Sequence, residues 1–308
     1  MRAVPSEPIT TVEALAAELD RQQREAAVNA APSPLLADLD ARVGDDVVSP
    51  LLRFVPTDAE GVVGVNLVHV RAWPGLMALL ARLMQQDDPW LLSRADALLT
   101  SFSPGPTPDE PSVVRVLTGA YDRDRALAEL AAVGATRRPG ENALGAVYDQ
   151  DGGPSALVGD GLLLEGARAA FDRALVARSG NSGLIAPGIG PPLRAARGAP
   201  SVAVAAAPGA TLRAGLTGID PDLGAIRWLA ARVGAFDDLT VDVTAVVPDA
   251  AAAARLEQKL RAALAAAEGP VRVLLGAARL DRDGDRLRLR VTVPREAATA
   301  ALAALTAE

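Results

Sequence analysis

The chain has 308 residues, 50% of them apolar, with no cysteine, one histidine and a net charge of −7. That size and apolar fraction suffice for one large core or two ordinary ones and exclude a disordered chain. Lack of cysteine excludes disulfides, thiolate metal sites and cysteine nucleophiles, and the acidic balance argues against nucleic acid, whose nonspecific binding needs clustered cations.

Aromatic residues make up 3% of the chain, too few for a platform that stacks sugars or unpaired bases. The longest apolar stretches, Val62 to Val70 and Val202 to Ala207, fall short of the roughly 20 residues that span a bilayer. Nothing in Met1 to Glu7 reads as an export signal, so the expected location is cytoplasmic as the sequence stands, and periplasmic or envelope-associated if a leader was removed.

Residues 1–48 read as a helical arm and linker. Thr10 and Glu13 have capping-box spacing, and Val12, Leu15 and Leu19 follow at helical intervals, which predicts a helix over 11–28 ahead of Pro32 and Pro34. The first α+β repeat is placed at 49–180. It opens with Phe54-Val55-Pro56-Thr57-Asp58 and continues as a strand over 62–70, a helix over 74–84 with Leu76, Leu79, Leu80 and Leu83 on one face, and a helix over 89–100. Next come a strand over 113–121, a helix capped by Asp122 or Asp124 and ended by Gly134, a hairpin of 143–148 and 156–164, and a helix over 167–177.

A Gly/Pro-rich linker is placed at 181–199. The second repeat, 200–308, runs in the same order. It has a strand over 202–206, a helix over 223–233, a strand over 239–247, a helix capped by Asp249, a hairpin of 271–280 and 286–293, and a helix over 296–305. Tyr148-Asp149-Gln150-Asp151-Gly152 aligns with Leu280-Asp281-Arg282-Asp283-Gly284, and Asp122 with Asp249. The expected fold is therefore α+β: an internal duplication of a strand-helix-strand-helix-hairpin-helix unit, with mostly antiparallel four-stranded sheets and helices on one face.

Candidate chemistry is sparse. His69 sits alone in an apolar run, which excludes a multi-imidazole metal centre and leaves no partner base for Ser182, whose surroundings also lack the nucleophile elbow. Asp281, Asp283 and Asp285 resemble the start of a calcium loop, but the glycine falls at the fourth position and Thr292 stands where glutamate belongs. Gly188-Ile189-Gly190-Pro191-Pro192 cannot cradle phosphate, because the prolines remove amide donors, and reads as a hinge or spacer. Arg286, Arg288 and Arg290 alternate with Leu287, Leu289 and Val291 and form one exposed row on a strand, which reads first as an edge or sheet-face solubility device and second as a basic stripe for an anionic lipid headgroup or an acidic partner.

The residues Phe54 to Asp58, Leu117-Thr118-Gly119-Ala120-Tyr121-Asp122 and Leu287 to Glu296 resemble turns of uncharacterised bacterial proteins with a duplicated α+β unit, over residues 50–308. The resemblance implies an exported or lipid-anchored location and no catalytic residues.

The sequence thus favours a noncatalytic binding or structural protein, of the cell envelope in one version, whose sheet faces or cleft between repeats contact a protein or lipid-like partner, with Arg286, Arg288 and Arg290 as a candidate surface contact. No cofactor, metal, nucleic acid or transmembrane segment is expected. Two alternatives stand beside it. One is a hydrolase-type enzyme built from carboxylates and arginines alone, which needs acids converging in a cleft. The other is a cytoplasmic scaffold recruiting a partner through the N-terminal helix.

Overall fold

The computed structural model describes residues 48–83, 90–107, 110–140, 142–180 and 188–307. The expected helix over 11–28 and Ser182 lie outside them. A short 3-10 helix, Ser49–Phe54, leads into β1 (Gly61–Asn66), α1 (Leu67–Arg71), α2 (Pro74–Leu83) and α3 (Trp90–Arg94). The chain then forms β2 (Ala95–Thr107), β3 (Glu110–Gly119), α4 (Arg123–Ala132), β4 (Thr136–Arg137), β5 (Ala146–Asp149), β6 (Pro154–Val158), β7 (Leu162–Ala167) and α5 (Arg168–Gly180). The remainder is α6 (Gly190–Ala196), β8 (Val202–Ala206), α7 (Ala210–Ile219), α8 (Pro221–Gly224), β9 (Trp228–Ala235), β10 (Asp238–Val246), α9 (Ala250–Ala266), α10 (Gly269–Leu275), β11 (Arg279–Asp283), β12 (Arg286–Pro294) and α11 (Arg295–Ala307).

Mixed helix and antiparallel sheet bear out the α+β class. The strands form one continuous sheet of 12 strands, ordered β11-β12-β10-β9-β8-β1-β2-β3-β7-β6-β5-β4, where two four-stranded sheets were expected. The seam is the β1–β8 pair, antiparallel, with Val62 opposite Ala205 and Val65 opposite Val202.

Helices cover both faces of the N-terminal half, where one covered face was expected. On the front, Leu51, Leu52 and Phe54, Phe171 and Ala174 of α5, and Leu193 and Ala196 of α6 pack over Val62, Leu99, Val116 and Leu164. On the back, Leu67, Val70, Leu91 and Leu92 from α1 and α3 pack over Val65, Leu98, Leu117 and Leu163. Behind the C-terminal half, Trp73 joins Leu239, Val291, Val293, Ala298 and Leu302, while Leu256 of α9 packs on Leu287 and Val247.

Both covered faces explain two misreadings. The expected helices over 89–100 and 223–233 are in large part the strands β2 and β9. In β2, Ala97 and Leu99 point to the front core and Leu98 to the back core, so the run is apolar at consecutive positions and loses the alternation that marks a strand. Leu229-Ala230-Ala231 of β9 hides its register in the same way.

Other differences are local. Asn66 ends β1 and caps α1, its Oδ1 accepting from the Val68 and His69 amides at 3.1 and 3.3 Å, so His69 lies on a helix rather than a strand. The expected 156–164 strand is broken into β6 and β7 at Gly161, whose φ is +65°. Residues 190–196 form α6, with its prolines at the N-terminal positions that lack an intrahelical acceptor, and bury Pro192, Leu193 and Ala196. They are core, not a spacer. The expected 271–280 strand is α10 followed by the charged β11. Asp122 and Asp249 do cap their helices, accepting from the Arg125 and Ala252 amides at 2.9 and 2.8 Å.

Candidate functional site

Alternation decides what faces the front of the C-terminal half. On β12 the back-facing Leu287, Val291 and Val293 are buried, while Arg286, Arg288, Arg290 and Thr292 are exposed. Thr240, Asp242 and Thr244 of β10 and Arg232 of β9 lie on the same face through the ladder register. On β11, Arg279, Asp281 and Asp283 do so too. α6 packs on β8 and β9, but among the described residues no helix packs on the front of β10, β12 and β11.

The charged side chains cross the strands diagonally. Arg290 stands directly opposite Asp242 and Arg288 opposite Thr244. Arg288 nevertheless reaches Asp242, donating from Nε to Oδ1 at 2.9 Å and from Nη2 to Oδ2 at 2.6 Å. Arg232 donates from Nη2 to Oδ2 at 2.8 Å. Arg290 turns the other way and donates to Asp281 Oδ2 at 2.5 Å. The bonds from Arg288, and then those from Arg232, outweigh partial burial and hold the Asp242 carboxyl at about 2; the same pairing raises Arg288. Arg286 stands over the Trp228 ring, 6.0 Å from its centroid.

A hollow of about 370 Å³ opens beside this row, lined by Arg232, Gly234, Thr240, Asp242, Arg290 and Thr292. Gly234 keeps it open, since a Cβ there would lie 2.6 Å from Thr240 Oγ1.

A second hollow, about 600 Å³, lies on the back of the N-terminal half among Val113, Arg115, Leu130, Pro154, Ala156 and Glu165. Its charges are paired, Arg115 Nη1 lying 3.1 Å from Glu165 Oε1 and Arg168 Nη2 2.8 Å from Asp149 Oδ2.

The other sequence candidates hold structural positions. His69 Nδ1 is 2.8 Å from the Pro200 carbonyl. Asp149 anchors the distal edge: Arg138 donates to both its oxygens at 2.7 and 2.8 Å, Ser155 donates to Oδ1 at 2.7 Å, and Arg168 pairs with Oδ2 at 2.8 Å. The Arg138 bonds foremost hold its carboxyl well below the usual carboxylate range. Asp281 is spent on Arg290. Among the described residues, no cluster of three His, Asp or Glu side chains could hold a metal ion, and no helix is long and apolar enough to cross a membrane.

The expected row of Arg286, Arg288 and Arg290 is one inner row of a larger array, flanked by β10 and β11. Asp242 falls within the expected strand over 239–247 with nothing to single it out, and Arg232 within the expected helix over 223–233. Cross-strand register, which brings residues 232, 242, 281 and 288 together, has no local signal.

No family model matches the chain, and no curated protein matches it. Among solved structures it is similar to crystal form III of TP0453, with a TM-score of 0.52 and 13% identity over 82% of this chain and 97% of that one. It is also similar to crystal form I of TP0453, with a TM-score of 0.50 and 12% identity over 86% of this chain and 99% of that one. The likeness is one of fold.

Proposed function

We propose that the protein is a noncatalytic binding protein that presents the open front of β9-β10-β12-β11 to an anionic partner, in the first instance the acidic surface of another protein. One observation carries the reading. Each guanidinium has five N–H donors, yet Arg288 spends two on Asp242 and Arg290 one on Asp281. Fixed donors are left facing solvent at strand spacing, and aspartates hold the side chains in place at little entropic cost to a second ligand.

A lipid surface is the less favoured partner. Peripheral membrane contact combines charge with apolar burial, and large exposed apolar side chains such as Ile219, Val176 and Val273 are on helices, which leaves Phe236 in the β9–β10 turn as a single apolar residue beside these strands among the described residues. Acid–base catalysis is also less favoured: Asp149 and Asp242 are held ionised by arginines, opposite to what a general acid requires. An envelope location, implied by the resemblance, belongs to the same proposal.

We further propose that the two halves descend from one unit. The orders β8-β9-β10-β12-β11 and β1-β2-β3-β7-β6 correspond strand for strand outward from the seam. The correspondence places the Gly284 turn against Gly161, with φ of +57° and +65°, and not against Gly152 as the aspartate spacing suggested. β4 and β5 are then an addition to the first copy.

Fluorescence anisotropy with a labelled oligoglutamate peptide tests the binding proposal. Salt-sensitive binding that weakens in Arg290→Gln supports it. Equal binding by that variant sinks it, and binding to phosphatidylglycerol vesicles without binding to the peptide replaces the protein partner by a lipid one.

A further inference from the structure

The first 47 residues hold nine carboxylates against four arginines, so most of the chain's net charge of −7 resides there. This acidic segment joins the fold on the same side as the arginine array. Val48 lies against Gly64 on the front of β1 and, with Gly198 and Ala203, lines a small apolar cavity of about 50 Å³. Gly198 also lines the hollow beside Arg232 and Arg290.

The reach is short. Neighbouring strands lie about 4.8 Å apart, so the four steps from β1, where Val48 sits, to β12 come to roughly 19 Å, which about six extended residues cover at about 3.3 Å each. Asp40 and Asp38 are far enough from Val48 along the chain to reach the arginine row, whereas Asp45 and Asp46 stop nearer to β8 and β9.

We propose that residues 1–47 dock in cis on the open front of β10-β12-β11, with their carboxylates on Arg286, Arg288 and Arg290. The acidic segment is then the resident competitor of the external anionic partner, which must displace it. This rests on the reading of the face as an anion-binding surface. Charge complementarity, the place where the segment joins the fold and the uncovered strand face all point to the same occupant.

The absence of cysteine permits a clean test in the full chain. A nitroxide on Ser33→Cys is the only thiol-borne label, and amide spectra report what lies near it. The expected result is broadening at Thr240, Thr292 and Gly234 that is lost at high salt and weakened in Arg290→Gln. Broadening confined to the N-terminal half, or none, overturns the proposal. So does broadening of these amides in unlabelled chains mixed with labelled ones, which would make the occupant a second copy.

A second full-chain variant changes no residue of the array: Asp38→Asn, Asp40→Asn, Asp45→Asn and Asp46→Asn together. It is expected to bind oligoglutamate about fivefold tighter than the parent, because more of the population has a vacant face. Unchanged affinity counts against docking. If the parent binds the peptide through Arg290 and the label broadens nothing, docking fails while the face remains an anion site. If the label broadens the face and neither protein binds the peptide, docking stands and the external-partner reading fails.

Discussion

Asp242 on β10 is bonded by Arg288, which stands opposite Thr244, rather than by Arg290, which stands opposite Asp242 itself. The diagonal lets one carboxylate bridge Arg288 and Arg232 on two flanking strands, and frees Arg290 to hold Asp281 on the outermost one. A single layer of charge thereby ties four strands together on a face that no helix covers among the described residues.

The pH dependence follows from the direction of the Asp242 shift. Its carboxyl titrates at about 2 in the fold against an ordinary 3.8, so its contribution is fully present above about pH 4 and is lost as pH falls towards 2. At 1.36 kcal/mol per unit, reduced for the partly exposed arginines, that is about 1–2 kcal/mol. Urea unfolding of Asp242→Asn at a series of pH values is expected to show a shallower loss of stability over this window than the parent. Parallel curves would deny the carboxylate this role.

Asp149 sits under three donors with its side chain 11% exposed, whereas the Arg168 side chain is 56% exposed. Removing the acid leaves Arg138 with Asp172 alone and the buried Ser155 hydroxyl without its acceptor, so Asp149→Ala is expected to cost about 2 kcal/mol, and Arg168→Ala at most about 1. Denaturant midpoints at neutral pH check the ranking.

Trp73 is 2% exposed and comes from the first half, yet its neighbours Leu239, Val291, Val293 and Leu302 belong to the second. With such a shared core the two halves should unfold together. Trp73→Ala is expected to destabilise by about 3–5 kcal/mol and to lower both halves' transitions alike, followed by fluorescence of Trp90 and Trp228. Two separated transitions in the parent would show that the halves fold independently.

Gly64 on β1 has no room for a side chain, because a Cβ would collide with Val48 Cγ1. Overpacking at a stiff β-branched neighbour makes Gly64→Ala destabilising by about 1–2 kcal/mol. In the double variant with Val48→Ala the loss should shrink, since the obstructing methyls are gone. A double-mutant cycle by urea unfolding measures the difference.

Local signals were readable wherever one residue type has one mechanical use. Asp122 and Asp249 mark helix starts because a short carboxylate caps an exposed amide, and Arg286, Arg288 and Arg290 mark a half-exposed strand because alternation has a single period. Reading failed where burial removes contrast. β2 and β9 are apolar at consecutive positions because both faces are covered, and α6, rich in glycine and proline, carries a linker's composition while packing in the core.

The sequence by itself determined the α+β class, the capped helices and the outward row of arginines, since each follows from contacts within a few residues. The tertiary structure alone decided that the strands form one sheet seamed at β1 and β8. It also decided that Trp73 belongs to the other half's core, and that Arg232, Asp242, Arg288 and Asp281 meet. Those are matters of register between strands far apart in the chain. Register is fixed by which apolar faces bury together, a choice that no short stretch of sequence makes alone.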